Sequence, residues 1–197
     1  MSADAPAAPT GAKGAVDPIE PTAAQRTAAR RVAESKATIP EFTASIEVGV
    51  TDLPAVVAAA GRALREHAGV NGAYVDAKHQ HYTRANVAVA VAGVFPTIAD
   101  ADAKDAAAIA RELAEAEARV KDGTITSAAL SGATFAITSL ASFGVTSFTA
   151  IIQPGHAAAL AVGASTLTLS ADARIVTPAD AGAFLARLRE LLEGGGV

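Results

Sequence analysis

The C-terminal end of the chain limits the fold most strongly, because an apolar strand pattern runs directly into an amphipathic helix pattern. Leu167 to Val176 is the predicted last strand, and Pro178 suits the first turn of the helix that follows. The glycines after Glu193 end this helix. Its predicted inward face consists of Phe184, Leu185, Leu188, Leu191 and Leu192. A strand followed by a helix with one apolar face indicates a helix layer packed on a sheet.

The preceding segments show the same alternation of helix and strand patterns. Thr22 is available as the cap of the first helix, and Pro54 starts the second. Helices are predicted over 22–36, 54–68 and 102–120, and strands over 43–50, 86–94, 134–139, 148–152 and 157–162. These elements predict an α/β protein in which helices pack against a mixed sheet.

Composition indicates one domain whose core is built from small side chains. The 197 residues are 51% hydrophobic but only 4% aromatic, so alanine and valine supply most of the packing. Small side chains bury less area each, and such a core gains from contacts between chains. The net charge of −4 gives no general attraction to nucleic acid or to an anionic membrane.

The absence of cysteine excludes disulfides, thiolate metal sites and a cysteine nucleophile. No apolar run reaches 18 residues, so no transmembrane helix is expected. Residues 1–21 are rich in alanine and proline and lack the basic start and apolar centre of a secretory signal. They are predicted to form a flexible arm before a core domain over 22–197, in a cytoplasmic protein.

The segment LTLSADARIVTPADAGAFLARLRELLE resembles the C-terminal motif of the dihydrolipoamide acyltransferase family, the core component of 2-oxo acid dehydrogenase complexes. That family has Asp-His-Arg, two apolar residues and Asp-Gly before a helix. Here Asp172 and Arg174 match, but Ala173 stands at the histidine. Thr177 and Pro178 stand at the aspartate and glycine. The motif is therefore recognisable but degenerate.

Further segments carry the resemblance: QRTAARRVAESKATIPEF near the N-terminus, ALREHAGVNGAY and NVAVAVAGVFPTIADADAKDAAAIARELA in the middle, and LSGATFAITSLASFGVTSFTAIIQPGHAAALAVGA in the second half. The resemblance implies a two-layer sandwich of the chloramphenicol-acetyltransferase-like type. It also implies a shortened catalytic core without a lipoyl domain, a subunit-binding domain or a lipoyl attachment site. The substrates implied are the lipoyl group and coenzyme A or acyl-coenzyme A.

In this family the motif histidine is a general base for the coenzyme A thiol, and a hydroxyl from a neighbouring segment holds the oxyanion. The matching hydroxyl is Thr138, although Thr138 also reads as an ordinary β-branched strand residue. Ala173 accepts no proton, Thr177 lacks the charge of an aspartate, and Pro178 removes a backbone donor. Asp172 and Arg174 are predicted to pair within the turn.

Histidines elsewhere offer substitutes for the missing base or for a metal site. His156 stands where the family usually has Gln or Glu, and a solvated or interface role is favoured over that of a base. His79 and His81 are spaced to share one strand face, as metal ligands would be. No third ligand has suitable spacing, so a polar turn or edge strand is favoured for this pair.

Basic residues cluster on the first predicted helix, where the family binds coenzyme A. Arg26 and Arg30 share one helix face. The residues expected to contact coenzyme A phosphates are Arg30, Arg31, Ser35 and Lys36. The alternative is a solvated face whose charges balance nearby acids.

Three functions remain open from the sequence. The first is a catalytically impaired acyltransferase core, a pseudoenzyme that serves as an oligomeric scaffold. The second is an active or weakly active coenzyme A-dependent acyltransferase with a non-standard base. The third is a regulatory protein that binds coenzyme A or an acyl group. The resemblance implies a homotrimer or a larger assembly of trimers, with 2-oxo acid dehydrogenase subunits as possible partners. The charge and the lack of a long apolar run predict neither a nucleic acid nor a membrane partner.

Overall fold

The computed structural model describes residue 14 and residues 17–49 and 51–194. Most of the predicted arm over 1–21 therefore lies outside the described residues. The α-helices among the described residues are α1 (Ala23–Thr38), α2 (Leu53–Glu66), α3 (Ala106–Lys121) and α4 (Pro178–Glu193). The strands are β1 (Glu41–Glu47), β2 (Gly72–Val75), β3 (Lys78–His81), β4 (Val87–Val89), β5 (Thr97–Ile98), β6 (Phe135–Ser139), β7 (Ala158–Val162) and β8 (Thr166–Asp172).

Six strands form one mixed sheet in the order β1-β8-β7-β6-β4-β5. The central strands β4, β6 and β7 run parallel, whereas β8, β1 and β5 join antiparallel. The parallel pairs require long connections, and the connection from β4 to β6 includes α3. The predicted mixed-sheet α/β sandwich is therefore confirmed.

One face of the sheet carries the helix layer and the main core. Helix α2 follows its N-cap Asp52, whose carboxylate accepts a hydrogen bond from the Ala55 amide, and it has Pro54 in its first turn. Most of α2 is buried, so it forms the centre of the layer. Helix α4 packs beside α2 through the predicted inward residues, of which Phe184, Leu185, Leu188 and Leu192 are buried and Leu191 is partly buried.

The opposite face of the sheet is covered by an irregular segment, which corrects one prediction. Residues 148–152 were expected to form a strand, but they form no strand in the structure. Phe148, Ala150 and Ile152 pack onto the small residues of β6 and β7, together with Ile39. The alternating pattern therefore reflects one side packed on a sheet rather than pairing within it.

Three predicted elements are shorter than expected. The strand predicted over 86–94 ends at Val89, because Ala92 and Gly93 have positive φ and turn the chain. The helix predicted from Asp102 starts at Ala106, after a short 3-10 turn and an N-cap at Asp105. The last strand ends at Asp172, four residues early, because the chain turns there.

Strands β2 and β3 form a separate two-stranded hairpin. All four residues of β3 are exposed, including His79 and His81. Of the two alternatives for these histidines, a polar turn or an edge strand, the structure has the exposed strand. Within the described part of the chain, no helix is both long and apolar enough to cross a membrane.

Candidate functional site

The end of β8 forms a turn organised around a buried carboxylate. Asp172 is 1% exposed, and its carboxylate accepts hydrogen bonds from the backbone amide of Arg174 at 3.0 Å and from the Arg174 guanidinium at 2.7–3.2 Å. The Asp172 carboxylate raises the pKa of Arg174 mainly through these hydrogen bonds. The Asp172–Arg174 pair predicted from the sequence is therefore present.

Ala173, the motif position of the base, lies between these two residues. Its side chain is exposed, and its backbone amide donates to the Pro40 carbonyl at 2.9 Å. This contact continues the register in which β1 pairs with β8. The backbone thus holds position 173 at the sheet margin, but the methyl group there transfers no proton.

The second half of the degenerate motif has become a helix start. Thr177 is the N-cap of α4, and its hydroxyl accepts a hydrogen bond from the Asp180 amide at 3.2 Å. Asp180 in turn accepts from the Thr177 amide at 3.0 Å and from its hydroxyl at 2.6 Å, which lowers the pKa of Asp180. Pro178 occupies the first helical position. These residues therefore serve α4 rather than the turn at Ala173.

Thr138, the candidate oxyanion hydroxyl, lies at the far end of the strands from Ala173. Thr138 pairs with Ala161, and Ala161 pairs with Thr168 on β8. Ala173 is five residues beyond Thr168, which corresponds to roughly 16 Å along the strand direction. One chain therefore does not bring Thr138 and Ala173 together.

His156 is buried, which corrects the expectation of a solvated side chain. It is 7% exposed, and its Nε2 lies 3.1 Å from the Ala133 carbonyl. Its Nδ1 is buried and has no hydrogen-bond partner among the described residues. Burial lowers the pKa of His156, against a smaller opposing effect of the Ala133 carbonyl. A role at an interface between chains remains a prediction.

A polar cavity of about 260 Å³ connects His156 with the motif. It lies between the C-terminal part of α1, the hairpin strand β2 and the end of β8. Its walls are formed by Glu34, Thr38, Ile39, Tyr74, Pro154, Gly155, His156, Asp172 and Arg174. The two residues that flank Ala173 therefore share a cavity with the buried histidine.

The basic residues of α1 have different environments. Arg30 and Arg31 are exposed, as expected for either a phosphate contact or a solvated face. Lys36 forms an ion pair with Glu41. Ser35 is 1% exposed, and its hydroxyl donates to the Ile152 carbonyl. Two of the four candidate residues are thus already engaged within the chain.

Tyr74 is the residue of this region that the sequence did not reveal. The Arg174 guanidinium carbon lies 4.5 Å from the centroid of the Tyr74 ring, a cation–π contact, and the Tyr74 ring makes an edge contact with His79. One hundred residues separate Tyr74 from Arg174. No local pattern signals a contact between a hairpin and a distant turn.

Comparison with known proteins identifies the family. The family model described as 2-oxoacid dehydrogenases acyltransferase (catalytic domain) matches residues 50–195. A similar curated protein is the dihydrolipoyllysine-residue acetyltransferase component of the pyruvate dehydrogenase complex of Rickettsia prowazekii. It is 28% identical over 84% of this chain and 51% of its own length. The chain spans about half the length of the curated relatives it matches.

Solved structures agree with this match. A probable dihydrolipoamide acetyltransferase from Listeria monocytogenes superposes with a TM-score of 0.86 and 25% identity, over 91% of this chain and 95% of that one. The cubic core of a pyruvate dehydrogenase multienzyme complex gives a TM-score of 0.85 at 23% identity, over 92% and 93% of the chains, and supports the fold. Because the family match covers most of the sequence, this chain belongs to the 2-oxoacid dehydrogenase acyltransferase family, catalytic domain.

Proposed function

We propose that this chain is an acyltransferase core that assembles into a homo-oligomer and whose acyl transfer through the family motif is impaired. The observation that carries this proposal is Ala173, held at the motif position by the Pro40 carbonyl but without a proton acceptor. A general base contributes about 10²–10⁴-fold in rate, so its loss removes most of the chemistry. The scaffold role follows because the fold is retained while the base is absent.

The position of Thr138 supports an assembly. Thr138 lies roughly 16 Å along the strands from Ala173, so a site that uses both needs residues from two chains. A homotrimer or a multiple of trimers, as in the family, supplies such a pairing.

Helix α1 gives independent support for contacts between chains. Among the residues of α1 whose burial the structure describes, Ser35 alone is buried, and Val32 is 44% exposed. An isolated helix of 16 residues is marginal in water without tertiary packing. A second chain packed on α1 would supply the missing burial.

The relatives suggest the partners and the setting. The Rickettsia prowazekii relative is a component of a pyruvate dehydrogenase complex, and one structural neighbour is the cubic core of such a complex. We extend this to the present chain as a proposal: its partners are subunits of a 2-oxo acid dehydrogenase complex in the cytoplasm. Its substrates are the lipoyl group and coenzyme A.

The test is acetyl transfer between acetyl-coenzyme A and dihydrolipoamide. The unmodified chain is expected to be far slower than an intact family member at neutral pH. The variant Ala173→His/Thr177→Asp/Pro178→Gly restores the motif and is expected to recover part of the rate. Ala173→Gln adds bulk without a suitable base and is the matched control. Rapid transfer by the unmodified chain would overturn the proposal of impairment.

A second candidate function is weak coenzyme A-dependent transfer with a non-standard base. The observation that favours it is the polar cavity, which places a buried histidine beside the residues that flank Ala173. This candidate requires slow transfer that depends on a residue other than those of the motif. A regulatory protein that only binds coenzyme A or an acyl group is the remaining alternative, and it predicts binding without any transfer.

A further inference from the structure

Backbone pairing places His156 next to the motif position that has lost its histidine. The Asp172 amide donates to the Ala157 carbonyl at 2.8 Å, one step beyond the last paired residues of β7 and β8. His156 precedes Ala157, and Ala173 follows Asp172. The two segments run antiparallel, so the residue before Ala157 and the residue after Asp172 lie on the same side of this hydrogen bond. His156 and Ala173 are therefore neighbours across the two segments.

The contacts of the His156 ring select one tautomer. The Ala133 carbonyl 3.1 Å from Nε2 only accepts hydrogen bonds, so Nε2 carries the proton in the neutral ring. Nδ1 is then an unprotonated acceptor, and it has no partner among the residues that the structure describes. A ring fixed through one nitrogen and free at the other has the arrangement of an oriented base.

The charges of the residues that line the cavity around His156 balance one another except for one carboxylate. Arg174 and Asp172 pair with each other, so their charges largely cancel. Glu34 adds a negative charge to the cavity wall, and Tyr74 is the other titratable lining residue. Tyr82 donates from its hydroxyl to the Gly155 carbonyl at 2.8 Å and so holds the loop before His156. An imidazolium formed at His156 would share the cavity with Glu34 and with the Asp172–Arg174 pair.

We propose that His156 is the proton acceptor for residual thiol chemistry in this chain, in place of the missing histidine at position 173. The inference rests on the second candidate function, weak transfer with a non-standard base. The thiol enters through the polar cavity, and its S–H proton moves to His156 Nδ1. The thiolate adds to the thioester carbonyl carbon, the carbon–sulfur bond to the leaving thiol breaks, and the proton returns from Nδ1 to that departing sulfur.

The test compares His156→Gln with the unmodified chain in acetyl transfer from acetyl-coenzyme A to dihydrolipoamide between pH 5 and 9. Glutamine keeps hydrogen-bonding groups at this position but cannot act as a base of comparable strength. The variant is expected to lose roughly tenfold or more in kcat with little change in KM. Its remaining rate should climb as the pH approaches the pKa of the free substrate thiol, whereas the unmodified chain should reach a plateau at lower pH. His81→Gln, on the exposed strand β3, is the matched control and should leave kcat unchanged.

Two further measurements keep the outcomes separate. Thermal unfolding and light scattering show whether His156→Gln still folds and assembles, and ¹⁵N shifts of the imidazole report whether Nδ1 is unprotonated at neutral pH. Equal kcat and pH profile in His156→Gln and the unmodified chain would overturn the role of His156 while weak transfer stands. No transfer at any pH by a folded, assembled chain would overturn both, and leaves the scaffold proposal intact. A proton on Nδ1 at neutral pH would also overturn the proposal.

Discussion

At the scale of single residues, the turn after β8 depends on a buried carboxylate. Asp172 is 1% exposed, and Arg174 supplies its positive partner while packing on the Tyr74 ring. A buried charge is stable only when it is paired and hydrogen-bonded. The ion pair therefore maintains the conformation that places Ala173 at the end of the sheet.

Replacing Arg174 tests this dependence. Arg174→Gln leaves Asp172 buried without a cation, and we expect the free energy of unfolding to fall by about 1–3 kcal/mol in urea titrations. Arg187→Gln is the control, because Arg187 pairs with Glu66, whose side chain is 47% exposed. An exposed pair contributes about 0–1 kcal/mol. Equal losses in the two variants would show that burial of Asp172 does not set the cost.

His156 predicts a pH dependence of stability. Its pKa is lowered from 6.5 by burial, so the folded chain resists protonation that the unfolded chain accepts. Stability is therefore complete above pH 6.5 and decreases as the pH falls toward the lower pKa of the folded state. The slope in this window reaches at most about 1.4 kcal/mol per pH unit. In His156→Gln this decrease below pH 6.5 should be smaller in denaturation curves, and an unchanged decrease would contradict the assignment.

The sequence revealed some of these residues and not others. Asp172 and Arg174 are two positions apart, so their pairing in a turn was predictable from local geometry. The burial of His156 was not, because it depends on the packing of the loop after residue 152 against the segment before β6. Tyr74 was missed for the same reason. Local spacing carries information about neighbours in the chain, whereas these contacts join residues 23 and 100 positions apart.

At the scale of secondary structure elements, the motif's last residues illustrate how substitution changes a turn. Thr177, Pro178 and Asp180 together form a well-capped helix start for α4. The helix itself was predictable from its apolar spacing and from Pro178. The irregular segment 148–152 was not, because packing against one sheet face produces the same alternation as a strand.

A close approach between α2 and the 3-10 turn Ala101–Ala103 gives a prediction for the helix layer. A Cβ added at Gly61 would lie 2.5 Å from the Asp102 backbone nitrogen. Gly61→Ala should therefore shift the helix or the turn and lower the free energy of unfolding by about 1–3 kcal/mol. Gly182→Ala in α4 is the matched control, since nothing lies within 4 Å of its added Cβ. It should be neutral or stabilising by up to about 1 kcal/mol, as alanine is in a helix. Chemical denaturation of both variants measures the difference, and a neutral Gly61→Ala would show that the turn yields freely.

At the scale of the whole molecule, several features of the single chain are incomplete. Among the α1 residues whose burial the structure describes, only Ser35 is buried. The outer residues of β1 are exposed, namely Thr43, Ser45 and Glu47. Phe143, at the end of the 3-10 turn Ala141–Phe143 that follows β6, is 79% exposed. Exposed apolar rings and a weakly packed helix are typical of surfaces that are buried in an assembly. The sequence indicated this only through its small-residue core and its family resemblance.

The last prediction concerns this assembly. By light scattering after size exclusion, we expect a mass of three times the 19.6 kDa chain or a multiple of that trimer. Phe143→Ser should shift the population toward smaller species because it removes an apolar contact next to the strand that carries Thr138, while the far-ultraviolet spectrum stays unchanged. Glu117→Ala, on the exposed side of α3 in the helix layer, is the control and should leave the mass unaltered. A monomer of the unmodified chain at tens of micromolar would refute the assembly, and with it any site that needs Thr138 from a neighbouring chain.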